Sequence, residues 1–93
     1  PEVEAALLAH DAVAECAGIG VPNEERGEIV EAHVLLADAH APCQALTKTL
    51  QDHVKSTIAP YKYPRSIVYC EALPKTATGK IQRYRLKPTG DTQ

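Results

Sequence analysis

A small two-layer α+β domain, with helices packed on a three-stranded sheet, is the fold class this chain predicts. Three observations carry it. Two apolar runs, Val13 to Val21 and Val30 to Leu36, alternate with the period of half-buried strands. Leu46, Leu50, Val54 and Ile58 recur every four residues, as one face of a helix requires. A short β-branched run, Ser66 to Cys70, follows that helix. No repeat, linker or low-complexity stretch divides residues 1–93, so they form one domain with one modest core.

In chain order, Glu2 to Ala9 comes first and places Val3, Ala6, Leu7 and His10 on one helical stripe. Pro1 and two acids near its start suit the positive end of a short amphipathic helix. Val13, Ala17, Ile19 and Val21 then point to a first strand running up to Pro22. Val30, Ala32, Val34 and Leu36 point to a second, joined to the first through the polar stretch Asn23 to Gly27. Asp38 to Pro42 reads as a loop. The helix through Leu50 ends before Pro60, because Ala59 precedes a proline and is pushed out of helical geometry. Tyr61 to Arg65 is a proline-bracketed connector, Ser66 to Cys70 the third strand, and Leu73 to Lys80 a lysine-bearing hairpin loop. One helical turn around Arg83 to Leu86 closes the domain, and the tail after Lys87 is expected to fray.

Composition narrows the function classes. The chain has no Trp, Phe or Met, so its core rests on Val, Ile, Leu, Ala and a few Tyr. The net charge of −2 conceals an asymmetry: residues 1–31 carry eight acids against one base, Arg26, whereas nine bases face three acids from Gln44 onward. Concentrated bases suit a phosphate-rich ligand, and equally a solvated face. Nucleic acid is a poor partner, since the whole chain is acidic and no recognised binding motif accompanies the bases. Cys16, Cys43 and Cys70 are odd in number and lack zinc-ligand spacing, so reduced, partly buried thiols of a cytoplasmic protein are expected. His10, His33, His40 and His53 form no metal pair and are read as ordinary surface or core histidines. No apolar stretch approaches the length of a membrane span.

The chemistry-bearing run is Leu73-Pro74-Lys75-Thr76-Ala77-Thr78-Gly79-Lys80-Ile81-Gln82-Arg83. A rigid proline, small hydroxylated residues and a glycine ahead of Lys80 make a tight loop that can deliver a flexible cation to an anionic centre. Taken locally, the same run also fits a solvated basic turn. The pattern Pro-Lys-Thr-x-x-Gly-Lys-Ile-x-Arg resembles the invariant-lysine loop of acyl-CoA synthetases, in the adenylate-forming, AMP-binding superfamily. Three further matches stand in the family's order: Pro1-Glu2-Val3-Glu4, then Gly20-Val21-Pro22 with Arg26-Gly27-Glu28, then Ala59-Pro60-Tyr61-Lys62-Tyr63-Pro64-Arg65. Four matches in register across most of the chain make coincidence a poor account.

The resemblance implies the small C-terminal mobile domain of an ATP-dependent acid–thiol ligase, similar to benzoate-CoA ligase and medium-chain acyl-CoA synthetases. In that family a carboxylate attacks the α-phosphate of ATP, and CoA then displaces AMP. The domain rotates on a large N-terminal domain between the two steps. By resemblance, Lys80 is the adenylation lysine, and Pro74, Thr78 and Gly79 shape its loop. Arg26, Lys55, Tyr63, Pro64 and Arg65 match positions that contribute to the CoA site. The partners implied are the large domain, a carboxylic acid (aromatic or medium-chain), ATP and CoA. Mg2+ would accompany ATP in the full-length enzyme without a ligand from this domain, and the isolated domain would be inactive. Two alternatives keep the same residues: a carrier-protein-loading adenylation enzyme, and a stand-alone module whose basic half docks an acidic partner.

Overall fold

The computed structural model describes residues 2–38 and 40–87; Pro1 and the tail after Lys87, both read above, lie outside them. The order of elements is α1 (Glu2–Leu8), β1 (Val13–Asn23), β2 (Gly27–Leu36), α2 (Gln44–Thr57) and β3 (Ser66–Tyr69). Single 3-10 turns stand at Pro60–Lys62 and Arg83–Arg85. The sheet is ordered β1-β2-β3, with β1 antiparallel and β3 parallel to β2. Parallel neighbours cannot be joined by a tight turn, and α2 supplies the crossover. The α+β architecture expected from the hydrophobic pattern is therefore the one observed. The proline-bracketed connector adds one feature, since part of it coils into the 3-10 turn at Pro60.

Both helices pack on one face of the sheet. Ala6 and Leu7 of α1, Leu50 and Val54 of α2, and Val13, Cys16, Ala32 and Val34 of the sheet form one buried cluster, flanked by Leu46, Ile58, Ile67 and Tyr69. His53 ties the helices together, its Nε2–H donating to the Ala6 carbonyl at 2.8 Å, while its ring meets His10 edge-on at 5.2 Å. The hairpin between β1 and β2 turns through Glu24 to Arg26. Asn23 Oδ1 accepts from the backbone N–H of Glu25 and of Arg26, at 3.1 and 3.0 Å. Gly27 completes the reversal at φ +79°, where a side chain would be strained.

The first strand departs from simple alternation. Its register with β2 shifts between Val13 and Glu15, an irregularity that inserts one residue. A period of two cannot survive an insertion, so Val13 joins Cys16 on the helix side whereas Ala17 and Val21 are buried outside the helix-side cluster. The strand expected from Val13, Ala17, Ile19 and Val21 is the one observed, with Val13 on the opposite side from Ala17 and Val21 because of the shift. Pro22 extends the strand opposite Glu28, which is tolerable because β1 is an edge strand. On the central strand β2, Glu31 and His33 alternate with the core residues and yet are themselves buried. His33 Nε2 lies 2.9 Å from Glu31 Oε2, and Ser66 Oγ donates to Glu31 Oε1 at 3.0 Å. The sheet is thus closed on both faces at its middle, with polar atoms satisfied on the second.

Helix α2 begins at an unusual cap. Cys43 occupies the N-cap in extended geometry, and its Sγ accepts from the Leu46 N–H at 3.4 Å. Cys43 is exposed, which corrects the expectation of partly buried thiols at this position. Cys16 is buried, and desolvation pushes its thiol up to about 11. Sulfur is a weak acceptor beside a hydroxyl. Cys43→Ser is therefore expected to raise stability by about 0.5–1 kcal/mol, read as a higher urea midpoint at unchanged slope. A lower midpoint would show that the sulfur does more than cap the helix.

Candidate functional site

The lysine loop is held by its own backbone. Gln82 N–H donates to the Pro74 carbonyl at 2.8 Å, and Lys75 and Ile81 face one another as an antiparallel bridge. Thr76 N–H donates to the Lys80 carbonyl at 2.8 Å, and Lys80 N–H returns to Thr76 Oγ1 at 3.0 Å. Thr78 Oγ1 stands 3.0 Å from Thr76 Oγ1. Gly79 takes φ +92°, and a Cβ built there would meet nothing within 4 Å. The constraint at Gly79 is therefore one of backbone conformation, not of space. The result is a closed hairpin with Lys80 on its descending leg.

The loop's cations differ in their freedom. Lys75 reaches Glu15 Oε2 at 2.7 Å, and Arg83 forks onto Glu4, with Nε 2.7 Å from Oε2 and Nη2 bonded to Oε1. Glu4 Oε2 also accepts the Gly18 N–H of β1 at 2.7 Å. The Arg83 guanidinium, aided by that amide, holds the Glu4 carboxyl below the usual carboxylate range against the opposing cost of burial. Lys80 is exposed, and among the described residues its ammonium has no partner. The arrangement presents one free cation from an anchored base.

A second cationic group gathers on Tyr63. Lys55 Nζ, from the last turn of α2, lies 4.2 Å from the Tyr63 ring centroid, and the Arg65 guanidinium lies 4.7 Å from it. Arg65 Nη1 also donates to the Tyr63 hydroxyl at 2.9 Å. Cations over an aromatic face are attracted by its quadrupole, so the ring fixes both side chains. Pro64 is fully buried, and its carbonyl accepts from Gln51 Nε2 at 3.0 Å. The connector is pinned to the sheet where Arg65 N–H donates to the Val30 carbonyl. Arg26 is exposed at the β1–β2 turn, at the same end of the sheet but about 13 Å of extended chain beyond Val30. The structure thus assembles Lys55, Tyr63 and Arg65, buries Pro64, and leaves Arg26 apart.

A groove of about 960 Å³ runs between the start of α1 and Gly18, Gly20 and Val30. It reaches Tyr61 and Arg83 but neither Lys80 nor Tyr63. Lys80 and Lys55 are exposed, and Tyr63 and Arg65 are half-buried. Among the described residues no group of three or more His, Cys, Asp or Glu could hold a metal ion, and no helix is long and apolar enough to cross a membrane. Two features escaped sequence reasoning. The Glu4–Arg83 fork joins residues at opposite ends of the chain, and although each stands in a motif run, nothing in either run pairs it with the other. Glu31 and His33 occupy positions that alternation assigns to solvent.

The AMP-binding enzyme C-terminal domain family matches residues 2–80. The chain is 57% identical over 89 residues to the human mitochondrial acyl-coenzyme A synthetase ACSM2B, covering 92% of this chain and 15% of that protein. It is similar to an acyl-CoA synthetase from Brucella canis at 47% identity and a TM-score of 0.87, covering 89% of this chain and 15% of the other. A benzoate CoA ligase from Burkholderia xenovorans matches at 48% identity and a TM-score of 0.82, over 90% of this chain and 17% of the other. The chain spans about 15% of the length of the curated relatives it matches.

Proposed function

Because this chain belongs to the AMP-binding enzyme C-terminal domain family, we propose that it is the mobile small domain of an ATP-dependent acid–thiol ligase acting on an aromatic or medium-chain carboxylic acid. The observation that carries the reading is the ammonium of Lys80, unpartnered among the described residues, on a loop whose other cations are tied down. In the first half-reaction a carboxylate and the α-phosphate of ATP, both anionic, must meet. A cation held at that point offsets their repulsion and stabilises the charge that develops as the acyl-adenylate forms and pyrophosphate leaves. Lys80 acts there as a charge and takes no proton. Pro74, Thr78 and Gly79 shape the turn that presents it.

In the second half-reaction the thiol of CoA displaces AMP. The group of Lys55, Tyr63 and Arg65 offers two oriented cations to the phosphates of CoA, with Arg26 a further cation at the hairpin tip. With its ring already engaged by Lys55 and Arg65, Tyr63 serves chiefly to orient those cations, and Pro64 sets the bend from within. Arg65→Ala in the full-length enzyme is expected to raise the KM for CoA roughly tenfold while leaving the adenylation step alone. An unchanged KM would remove Arg65 from the CoA site.

A large N-terminal domain supplies the rest of the nucleotide site and the acyl pocket, Mg2+ accompanies ATP, and the three unpaired cysteines suit a reducing, cytoplasmic setting. The relatives named above are CoA ligases, which does not favour a carrier-loading enzyme or a stand-alone module. The deciding experiment separates the half-reactions of the full-length protein. Acid-dependent exchange of labelled pyrophosphate into ATP, followed by AMP release only when CoA is added, is the expected result. Exchange without transfer to CoA, with transfer to a phosphopantetheinyl carrier instead, would sink the acceptor assignment.

A further inference from the structure

The loop that carries Lys80 has two legs, and each is fastened differently. The ascending leg begins at Leu73, which is buried, and carries Lys75. Lys75 meets one oxygen of Glu15, and the other oxygen, Oε1, is buried without a hydrogen-bond partner. The descending leg leaves through Arg83, three residues past Lys80, and there both oxygens of Glu4 are used. Glu4 adds the Gly18 amide of β1 to the same carboxylate, so a single side chain joins α1, the edge of the sheet and the end of the loop. Between these fastenings the loop is stiffened by its ladder from Pro74–Gln82 to Thr76–Lys80.

We propose that the Glu4–Arg83 fork is a positioning pair, which sets the height and direction of Lys80 relative to the sheet. This inference rests on the adenylation role given to Lys80 above. Neither Glu4 nor Arg83 touches the reacting atoms in this proposal; both act through the loop. A planar guanidinium bound by two parallel bonds fixes orientation as well as distance, which a lysine at position 83 could not do. The carboxylate is already ionised and committed, since Arg83 and the Gly18 amide both stabilise its charged form. A displacement of about 1 Å at a reacting cation costs on the order of a hundredfold in rate, so an anchor well removed from the chemistry can govern it.

The test uses the full-length enzyme, with thermal unfolding recorded for every variant. Glu4→Gln preserves shape and can still accept from Gly18, but it loses the ionic fork. Arg83→Ala removes the fork outright, and Arg83→Lys keeps charge without the bidentate geometry. Glu4→Gln and Arg83→Ala are expected to slow acid-dependent pyrophosphate exchange by roughly 10- to 100-fold at unchanged KM for ATP. Thioester formation from supplied acyl-adenylate should stay within about threefold, and Arg83→Lys should recover part of the exchange. Because the pair works through Lys80, adding Arg83→Ala to Lys80→Ala should cost nothing further. Equal loss in both half-reactions would mean a folding role and overturn the proposal, as would independent, additive losses in the double variant. Full exchange in Glu4→Gln and Arg83→Ala beside an inactive Lys80→Ala would overturn the positioning role alone. A fully active Lys80→Ala would instead remove the adenylation reading on which it rests.

Discussion

Lys80→Ala in the full-length enzyme is expected to lower acid-dependent pyrophosphate exchange by about 10²–10³-fold, with thioester formation from supplied acyl-adenylate reduced only a few-fold. The size follows from the removal of one preorganised charge at a point where two anions are forced together. On the proposed function the asymmetry follows from rotation of the domain between the two steps, which would withdraw the cation before CoA attacks. Lys48→Ala provides the control. Lys48 is an exposed lysine of the same domain, paired only with Asp52 one helical turn away at 3.4 Å, and its loss should alter neither half-reaction. Intact exchange in Lys80→Ala, together with collapsed thioester formation, would show that the loop serves the second step and not the first.

The largest effect on stability is expected at Leu50. It is fully buried at the junction of α2 with α1 and the sheet, among Leu7, Val34 and Val54. Leu50→Ala leaves a cavity that must collapse or stay empty, at a cost of about 3 kcal/mol. A domain of this size has roughly 5–14 kcal/mol in all. The cavity is hard to refill here, because the chain contains no Met and no Phe that could shift into it. Urea unfolding should show a large fall in midpoint for Leu50→Ala and almost none for Leu8→Ala, whose side chain is 50% exposed on the same pair of helices. Equal shifts for the two would place the core elsewhere.

Helix α2 was legible because its burial is one-sided. Leu46, Leu50, Val54 and Ile58 all turn to one core shared with α1 and the sheet, and an amphipathic period records that directly. The second strand was legible for the same reason on its helix side only. Glu31 and His33 were not, since burial of a charge-bearing residue depends on Ser66 arriving from 35 residues away, and no local pattern encodes that. The first strand was legible as a strand, but its register shift was not, because one inserted residue near Val13 leaves no mark in the apolar pattern. In the site, the Lys80 loop stood out because turn chemistry is local: Pro74, Thr78 and Gly79 act within a few residues of one another. The fork at Arg83 is tertiary, made across 79 residues, so the run that contains Arg83 gives the residue but not its partner. Tyr63 and Arg65 were visible as residues, but the recruitment of Lys55 to the same ring required the last turn of α2 to end beside the connector.

The bond from Gly18 to Glu4 has one more consequence. β1 lies at the rim of the sheet, and eleven residues of unsheltered rim would invite pairing with another chain. Its outward donors are removed at two places. Pro22, which shares parity with Gly18, has no N–H to offer, and the Gly18 N–H is already spent on a carboxylate of the same molecule. A foreign strand approaching that rim finds a missing donor and an occupied one. The contact that anchors a loop therefore also shields the domain against edge-to-edge aggregation, and the carboxylate's share of that shield weakens as pH falls through the depressed pKa of Glu4, whereas the gap at Pro22 stays.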